Sequence, residues 1–233
     1  MTIKATLFDF SGTLFRIEST AAWLRAVLEE ARLSLPDAEI ERLTAALDRA
    51  GALPGGAHPT VVPDRLAGAW AQRDRSAAQH RAAFTGLSRE VTLPDPRLHD
   101  ALYERHMQPA AWRPYADAAE VLAGLRERGI RIAVISNIGW DPRPVFRAHG
   151  LDPYVDAYTL SYEHEIQKPD PRLFARACGE LGVDPADTLM VGDDRRTDAG
   201  AAAAGCAVHF VDHLPLDRRP DALRPVLGLV DKS

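Results

Sequence analysis

The C-terminal half of the chain alternates short apolar runs with helical patterns, and this alternation restricts the fold more than any other feature. Strand patterns occur at 130–135, near 155–160, at 188–191 and at 207–211. Helical patterns occupy 116–128, about 143–149, 171–181 and 197–204. A parallel strand pair needs a long crossover, usually a helix, so alternating elements favour a parallel sheet. We therefore predict an α/β fold with a Rossmann-like parallel sheet core and helices on both faces.

The first strand pattern is separated from the others by a long helical stretch. It covers residues 4–10 and leads into a turn that contains glycine. Helical patterns follow from Ser19, after Pro36, at about 64–88 and at about 97–107. We expect no strand between roughly 16 and 112. The chain is thus predicted to have an α/β core, residues 1–15 and 113–233, and an inserted all-helical subdomain, residues 16–112, called the insertion below.

Composition argues against several classes of function. A net charge of −5 and a sequence pI near 5.9 argue against nonspecific nucleic-acid binding. The apolar N-terminal run is too short for a signal peptide and contains Asp9, and nothing later approaches a membrane span. Cys178 and Cys206 lack metal-type spacing, so neither a disulfide framework nor a zinc site is indicated. We expect a soluble cytoplasmic monomer or homodimer without nucleic-acid or membrane partners.

Polar side chains follow the predicted strands and form the candidate site. They are Asp9 after the first strand, Ser136 and Asn137 after the second, Lys168 in the loop after the third, and Asp193, Asp194 and Asp198 after the fourth. In an open parallel sheet, sites form beyond the carboxyl ends of the strands, so we expect these groups to converge. Packed carboxylates repel one another unless a cation relieves them, and Mg²⁺ suits oxygen ligands together with a substrate phosphate. Lys168 and Ser136 then face the phosphate oxygens, while backbone N–H groups of the turn Ser11–Leu14 bind the transferred group.

Four of these segments resemble the four motifs of the haloacid dehalogenase superfamily in residue type and order. They are Asp9-Phe-Ser-Gly-Thr-Leu14, Ile135-Ser-Asn137, Lys168-Pro-Asp170 and Val191-Gly-Asp-Asp-Arg-Arg-Thr-Asp198. The resemblance spans about residues 4–212, and its spacing implies the subgroup with a helical cap inserted after the first strand. It is specific for fold and less specific for reaction, because the family includes phosphatases, phosphomutases, phosphonatases and dehalogenases.

The resemblance also implies roles for the motif residues. Asp9 is the nucleophile, which forms a covalent aspartyl intermediate. Thr13 and Ser136 hydrogen-bond the nucleophile or the transferred group, and Lys168 neutralises charge between nucleophile and substrate. The residues assigned to substrate binding are Ser11, Gly12 and Asn137.

For the metal, the resemblance implies Mg²⁺ that is bound directly by Asp9, Asp193 and the backbone carbonyl of Ser11. Asp194 or Asp198 would then contact these ligands rather than bind the ion directly. Position 11 departs from the family, whose phosphatases use an aspartate there as general acid and then as base. A positioned acid or base contributes roughly 10²–10⁴-fold in rate. We therefore expect low turnover on sugar or alcohol phosphates, unless water, a substrate group or a residue of the insertion supplies the proton.

Several functions of this family compete as hypotheses. A phosphonatase needs a Schiff-base lysine from the cap, and residues 5–167 contain no lysine. A metal-independent 2-haloacid dehalogenase tolerates Ser11, but the carboxylates of the fourth motif would repel a haloacid. A catalytically weak phosphate-binding or regulatory protein has little need for the nucleophile Asp9. Mg²⁺-dependent hydrolysis of a small phosphorylated metabolite is the leading hypothesis, and the dehalogenase and the binding protein remain alternatives.

The helical patterns of the insertion carry no decodable substrate signature. Five of its residues have side chains that could contact a substrate, because they are aromatic, imidazole or guanidinium groups: His58, Trp70, Arg73, His80 and Phe84. Such side chains occur more often on surfaces or in packing than in substrate contacts. We therefore predict no site residue in the insertion.

Overall fold

Seven strands form two sheets within residues 2–231, the part of the chain that this computed structural model describes. They are β1 (Ala5–Phe8), β2 (Phe15–Ile17), β3 (Trp112–Pro114), β4 (Arg131–Ser136), β5 (Ala157–Leu160), β6 (Thr188–Gly192) and β7 (Ala207–Phe210). Five of them form one sheet in the order β5-β4-β1-β6-β7, and every neighbouring pair is parallel. The predicted parallel sheet is confirmed.

Eleven α-helices accompany the strands over the same residues. They are α1 (Thr20–Glu30), α2 (Asp37–Ala50), α3 (Asp64–Ala71), α4 (Ala77–Ser88), α5 (Leu98–His106), α6 (Ala118–Glu127), α7 (Arg143–Ala148), α8 (Ser161–His164), α9 (Pro171–Leu181), α10 (Gly200–Ala204) and α11 (Pro225–Asp231). Helices α1–α5 lie between β2 and β3 in the chain. Among the described residues, none of these helices has the length and apolar character needed to cross a membrane.

Side chains alternate along each strand, so the parallel sheet has two apolar faces. Ala5 and Leu7 of β1 pack in one cluster with Phe174 of α9. Phe8 points to the other face and belongs to a second cluster with Val121 of α6. Both faces are therefore covered by helices, as expected for a parallel sheet. This arrangement confirms the predicted Rossmann-like architecture.

The apolar side chains of the insertion continue the cluster on the Phe8 face. Helix α1 begins after Ser19, whose side chain accepts a hydrogen bond from the Ala22 N–H at 3.2 Å. Trp23 and Leu102 are buried in this cluster. The indole N–H of Trp23 donates to the Leu102 carbonyl at 2.8 Å, which fixes α1 against α5.

Two short strands lie at the ends of the insertion, where none was predicted. β2 pairs antiparallel with β3, and Ile17 lies opposite Trp112. A strand of three residues has no visible period in the sequence, and such pairs form through the tertiary contact between the incoming and outgoing chain. The expectation of no strand between roughly 16 and 112 is therefore wrong at both ends of that range.

The helical pattern predicted over about 64–88 is interrupted in the structure. Helix α3 ends at Ala71, a 3₁₀ turn covers Arg73–Arg75, and α4 begins after Ser76. Ser76 has an extended backbone, and its side chain accepts a hydrogen bond from the Gln79 N–H at 3.2 Å. This cap satisfies a backbone N–H group at the start of α4, so α4 begins here as a helix separate from α3. The 3₁₀ turn, called the 73–75 turn below, packs against α8 of the core.

Candidate active site

The candidate active site lies at the carboxyl ends of three neighbouring strands. β1 lies between β4 and β6, and the strand order reverses there, because β4 and β5 lie on one side of β1 while β6 and β7 lie on the other. Asp9 follows β1, Ser136 ends β4, and Asp193 follows β6. Parallel α/β sheets form their ligand-binding crevices at such a switch point. The fold thus brings these three residues to one edge.

Lys168 connects two buried carboxylates at this edge. Its Nζ donates to Asp9 Oδ1 at 2.7 Å and to Asp198 Oδ1 at 2.6 Å. All three side chains are buried. Burial alone would lower the pKa of the Lys168 ammonium, but the carboxylates of Asp198 and Asp9 outweigh burial and raise that pKa. Lys168 therefore stays charged between them.

Asn137 holds the backbone of Lys168. The Asn137 Oδ1 accepts a hydrogen bond from the Lys168 N–H at 2.7 Å, and its Nδ2 donates to the Lys168 carbonyl at 2.9 Å. Asn137 was predicted to bind substrate, but both the oxygen and the nitrogen of its side-chain amide are hydrogen-bonded to the backbone of Lys168. The neighbouring Ser136 lines the same cavity as Asp9.

Three carboxylates form a group that we call the acid cluster: Asp9, Asp193 and Asp198. One oxygen of each lies within 4.8 Å of the others. Burial raises the pKa of the Asp9 carboxyl well above its ordinary value, Lys168 opposes this, and Asp198 and Asp193 add to it. Three carboxyl groups lie beside the single ammonium of Lys168, so acidic groups are in excess at this point. A hard divalent cation such as Mg²⁺ balances that excess with the oxygen ligands it prefers, so these residues fit Mg²⁺.

Asp194 lies outside the acid cluster although it is next to Asp193 in the chain. Its Oδ1 accepts a hydrogen bond from the Arg196 N–H at 2.8 Å, which stabilises the local turn. The Asp194 N–H donates to Asp198 Oδ2 at 3.0 Å. Asp198 therefore bonds both Lys168 and the backbone of its own loop. Of the three acids predicted near the metal in the fourth motif, the structure brings Asp193 and Asp198 to the cluster, but not Asp194.

The turn after Asp9 passes very close to the acid cluster. Gly12 has a φ of +88°, and a Cβ there would lie 2.3 Å from Asp193 Oδ2, so only glycine fits this position. The Thr13 hydroxyl donates to Asp193 Oδ1 at 3.1 Å. Thr13 thus contacts Asp193 at the end of β6, and a hydrogen bond from Thr13 to the nucleophile or to the transferred group stays a prediction.

Two residues that contact the predicted site were not identified from the sequence. His213 Nδ1 lies 2.6 Å from Asp193 Oδ2. It follows β7, so applying the strand-end rule to the last strand would have found it. Arg219 is buried and donates hydrogen bonds to the carbonyls of Gly12 and Thr13, which holds the turn from one side. No local pattern marks Arg219, because its partners are about two hundred residues away in the chain.

A cavity of about 180 Å³, called the site cavity below, is lined by the acid cluster, Ser136 and Lys168. The insertion contributes a large part of its wall. The five residues predicted to lie outside the site all line it: His58, Trp70, Arg73, His80 and Phe84. These insertion residues therefore lie beside the predicted site, and whether they contact a substrate stays a prediction. Helical periodicity shows that a helix has an apolar face, but only packing of the 73–75 turn on the core decides what that face covers.

Sequence comparison places the chain among known hydrolases. The sequence model of haloacid dehalogenase-like hydrolases matches residues 3–205. Haloacid dehalogenase-like hydrolase domain-containing protein 3 of Mus musculus is 30% identical over 171 residues, which cover 64% of this chain and 68% of the relative. N-acetylmuramic acid 6-phosphate phosphatase of Pseudomonas aeruginosa is 26% identical over 252 residues, which cover 100% of this chain and 97% of the relative.

Structural comparison gives the same fold. The crystal structure of a dehalogenase with an intermediate complex matches with a TM-score of 0.70 at 23% identity, over 100% of this chain and 99% of that one. At this identity the likeness concerns the fold alone. The sequence relatives include both phosphatases and a haloacid dehalogenase, so the choice of reaction depends on the site itself.

Proposed function

The chain belongs to the haloacid dehalogenase-like hydrolase family, and we propose that it is a Mg²⁺-dependent phosphatase acting on a small phosphorylated metabolite. One observation carries the proposal: Lys168 Nζ lies between the buried carboxylates of Asp9 and Asp198, beside the third carboxylate of Asp193. This charge pattern suits a dianionic phosphate that shares a divalent cation with the acids. It does not suit a haloacid, whose carboxylate the cluster would repel.

Asp9 is the proposed nucleophile. Its Oδ1 is held by Lys168, so Oδ2 attacks the phosphorus atom of the substrate. A bond forms between Oδ2 and phosphorus while the bond from phosphorus to the leaving oxygen breaks. Lys168, Ser136 and the backbone N–H groups of the turn Ser11–Leu14 stabilise the charge that collects on the phosphoryl oxygens. Water then attacks the aspartyl phosphate, which releases phosphate and restores Asp9.

Asp9 and Asp193, with the backbone carbonyl of Ser11, are the proposed ligands of Mg²⁺. When bound, Mg²⁺ neutralises phosphoryl oxygens and reduces their repulsion of the nucleophile. Asp198 acts by holding Lys168, and Asp194 acts by donating its N–H to Asp198. This division of roles follows from the hydrogen bonds that already occupy Asp198.

The insertion, residues 16–112, is the proposed cap, and residues 1–15 and 113–233 are the proposed catalytic core. Insertion residues such as Trp70 and Phe84 line the site cavity. Apolar walls of this kind exclude water during phosphoryl transfer and contact the leaving group.

Hydrolysis of p-nitrophenyl phosphate with and without Mg²⁺ tests the function. We expect turnover that requires Mg²⁺ and that falls on the order of 10³-fold or more in Asp9→Asn, because asparagine cannot act as the nucleophile. Asp217→Asn is the matched control, since Asp217 is exposed and does not line the site cavity. This control keeps the activity of the native chain.

Two other outcomes would contradict the proposal. Release of chloride from 2-chloropropionate without added metal would make the protein a dehalogenase. Tight binding of phosphate with no turnover in either the native chain or Asp9→Asn would make it a binding or regulatory protein.

A further inference from the structure

We propose that Asp74, in the insertion, is the general acid and base that the chain lacks at position 11. The inference rests on the phosphatase function proposed above and assigns a proton donor to that reaction. It concerns a residue that belongs to none of the four motifs.

The break in the helix predicted over 64–88 brings Asp74 into the site. Asp74 is the central residue of the 73–75 turn, and its side chain is only 5% exposed. It lines the same cavity as Asp9, Ser136 and Lys168. A buried carboxyl that faces a reaction cavity costs stability, so its position has to be explained by function or by strong pairing.

Strong pairing does not explain Asp74. Within the described residues, the basic side chains within 4 Å of its carboxyl are Arg73, whose Nε lies 3.4 Å from Oδ2, and His80, whose Nε2 lies 3.9 Å from Oδ1. Both distances are longer than those of a charge-assisted hydrogen bond. Lys168 acts on Asp74 only through the longer-range field between them. The carboxyl is therefore buried and weakly paired.

The surroundings favour the protonated form of this carboxyl. Burial raises the pKa of Asp74, and the positive charges of Arg73 and Lys168 only partly oppose it. Burial lowers the pKa of His80 well below its ordinary value, and His106 and Arg73 add to this, so His80 is neutral and does not supply the proton. The Tyr103 hydroxyl lies 2.8 Å from His80 Nδ1 and fixes this ring beside Asp74.

The 73–75 turn is tied directly to the loops that carry the catalytic groups. Ser161 Oγ donates to the Asp74 carbonyl at 2.5 Å and accepts from the Ile138 N–H at 2.9 Å, two residues after Ser136. The Gln167 side chain donates to the Ala71 carbonyl at 3.1 Å, one residue before Lys168. These bonds fix the position of Asp74 relative to Ser136 and Lys168, which general acid catalysis requires.

Position 11 itself lies close to the insertion. A Cβ built on Gly55 would lie 2.8 Å from the Ser11 Oγ and 3.0 Å from the ring of Trp112. The backbone of the insertion at Gly55 therefore passes close to the Ser11 hydroxyl. Asp74 lines the same cavity as Ser11 and is a carboxyl that can supply the proton there.

The proposed steps balance as follows. As Asp9 Oδ2 bonds to phosphorus, the bond to the leaving oxygen breaks, and Asp74 transfers its proton to that oxygen. The product leaves as a neutral alcohol or phenol, and Asp74 becomes a carboxylate. Asp74 then accepts a proton from the water that attacks the aspartyl phosphate, which returns Asp74 to its protonated form and releases phosphate.

Comparison of two leaving groups in Asp74→Asn tests this inference. Phenyl phosphate and p-nitrophenyl phosphate have similar size and both suit an aromatic wall, but phenolate is the poorer leaving group and needs the proton more. We expect kcat for phenyl phosphate to fall roughly 10²–10⁴-fold in Asp74→Asn. We expect the fall for p-nitrophenyl phosphate to be less than about tenfold. Asp100→Asn is the matched control, because it removes an exposed carboxylate of the insertion.

The ratio of the two rates does not depend on the fraction of folded enzyme, so partial misfolding does not obscure the result. An equal loss on both substrates, or no loss on either, would overturn the role of Asp74. Asp74→Ser provides a second variant, with the same expected change in ratio. Asp9→Asn separates the two proposals: if it retains activity, the phosphatase mechanism fails, whereas an unchanged ratio in Asp74→Asn alone refutes only the proton donor.

Discussion

At the residue scale, two buried ionisable side chains differ in how far charged partners compensate for their burial. Lys168 is buried with two carboxylates at hydrogen-bond distance, and these raise its pKa and keep it charged. Asp74 is buried with Arg73 at 3.4 Å as its nearest cation among the described residues, and burial raises its pKa toward the neutral form. One site thus holds a fixed cation and a carboxyl that can carry a proton. Enzymes give the groups of one site different acid, base or electrostatic roles by placing them in environments that shift their pKa values differently.

Asp74→Asn is expected to stabilise the protein as the pH rises. The pKa of Asp74 is raised in the folded state above the value of about 3.9 in an unfolded chain. Folding therefore takes up a proton between the two values, and the native free energy of unfolding falls as pH rises through that window. Asparagine removes this loss, so we expect the variant to have the higher melting temperature above the window.

Melting temperatures of the native chain and Asp74→Asn between pH 4 and 8 measure this effect. The difference should grow with pH. A variant that is less stable than the native chain at every pH would show that Asp74 is a structural carboxylate.

The element that matters most is the 73–75 turn between α3 and α4. It interrupts what would otherwise be one long helix, and it carries both Arg73 and Asp74 into the wall of the site cavity. Its attachment to the core depends on Ser161, the first residue of α8, which is fully buried. Hydrogen bonds made by one hydroxyl thus connect the insertion to the loop after β4.

Ser161→Ala is expected to loosen this attachment. It leaves the Asp74 carbonyl and the Ile138 N–H without the Ser161 hydroxyl, at a cost of about 1–3 kcal/mol in the free energy of unfolding. Because the hydroxyl positions Asp74, kcat for phenyl phosphate should fall more than kcat for p-nitrophenyl phosphate. Denaturant unfolding and the ratio of the two rates measure the two effects.

Ser88→Ala is the matched control for this variant. Ser88 is also buried, and its hydroxyl lies 2.7 Å from His99 Nδ1 within the insertion, so its loss should cost similar stability. The ratio of the two rates should remain that of the native chain. A change of ratio in Ser88→Ala as large as in Ser161→Ala would show that stability, and not position, controls it.

At the scale of the whole molecule, the proposed binding of Mg²⁺ is expected to be coupled to folding. The sheet topology collects the acid cluster from segments that are far apart in the chain, so the excess negative charge exists only in the folded state. A cation that binds only this state stabilises it by mass action. The same charge excess makes the metal-free fold less stable than its packing alone would make it.

Addition of Mg²⁺ is therefore expected to raise the melting temperature. At a Mg²⁺ concentration one hundred times the Kd, the stabilisation is about 2.7 kcal/mol, and EDTA should reverse it. Asp193→Asn should abolish the shift, whereas Asp194→Asn should retain most of it, because Asp194 lies outside the acid cluster. Equal loss of the shift in both variants would place Asp194 among the ligands.

The sequence by itself determined the class of fold and the motif residues of the site. Alternating strands and helices require a parallel sheet, and strand ends of a parallel sheet meet at one edge, so Asp9, Ser136 and Asp193 could be grouped without coordinates. These inferences depend on local periodicity and on the geometry common to all parallel sheets. They therefore need no knowledge of how one particular helix packs.

Only the tertiary structure decided which residues of the insertion and of the C-terminal region reach the site. Asp74, Arg219 and the wall of the site cavity depend on packing between segments far apart in the chain, which leaves no periodic pattern in either segment. The same holds for Cys178 and Cys206, whose sulfurs lie 3.9 Å apart although their spacing indicated no relation. Local propensity sets each element, whereas the burial of apolar surface between elements sets which side chains meet.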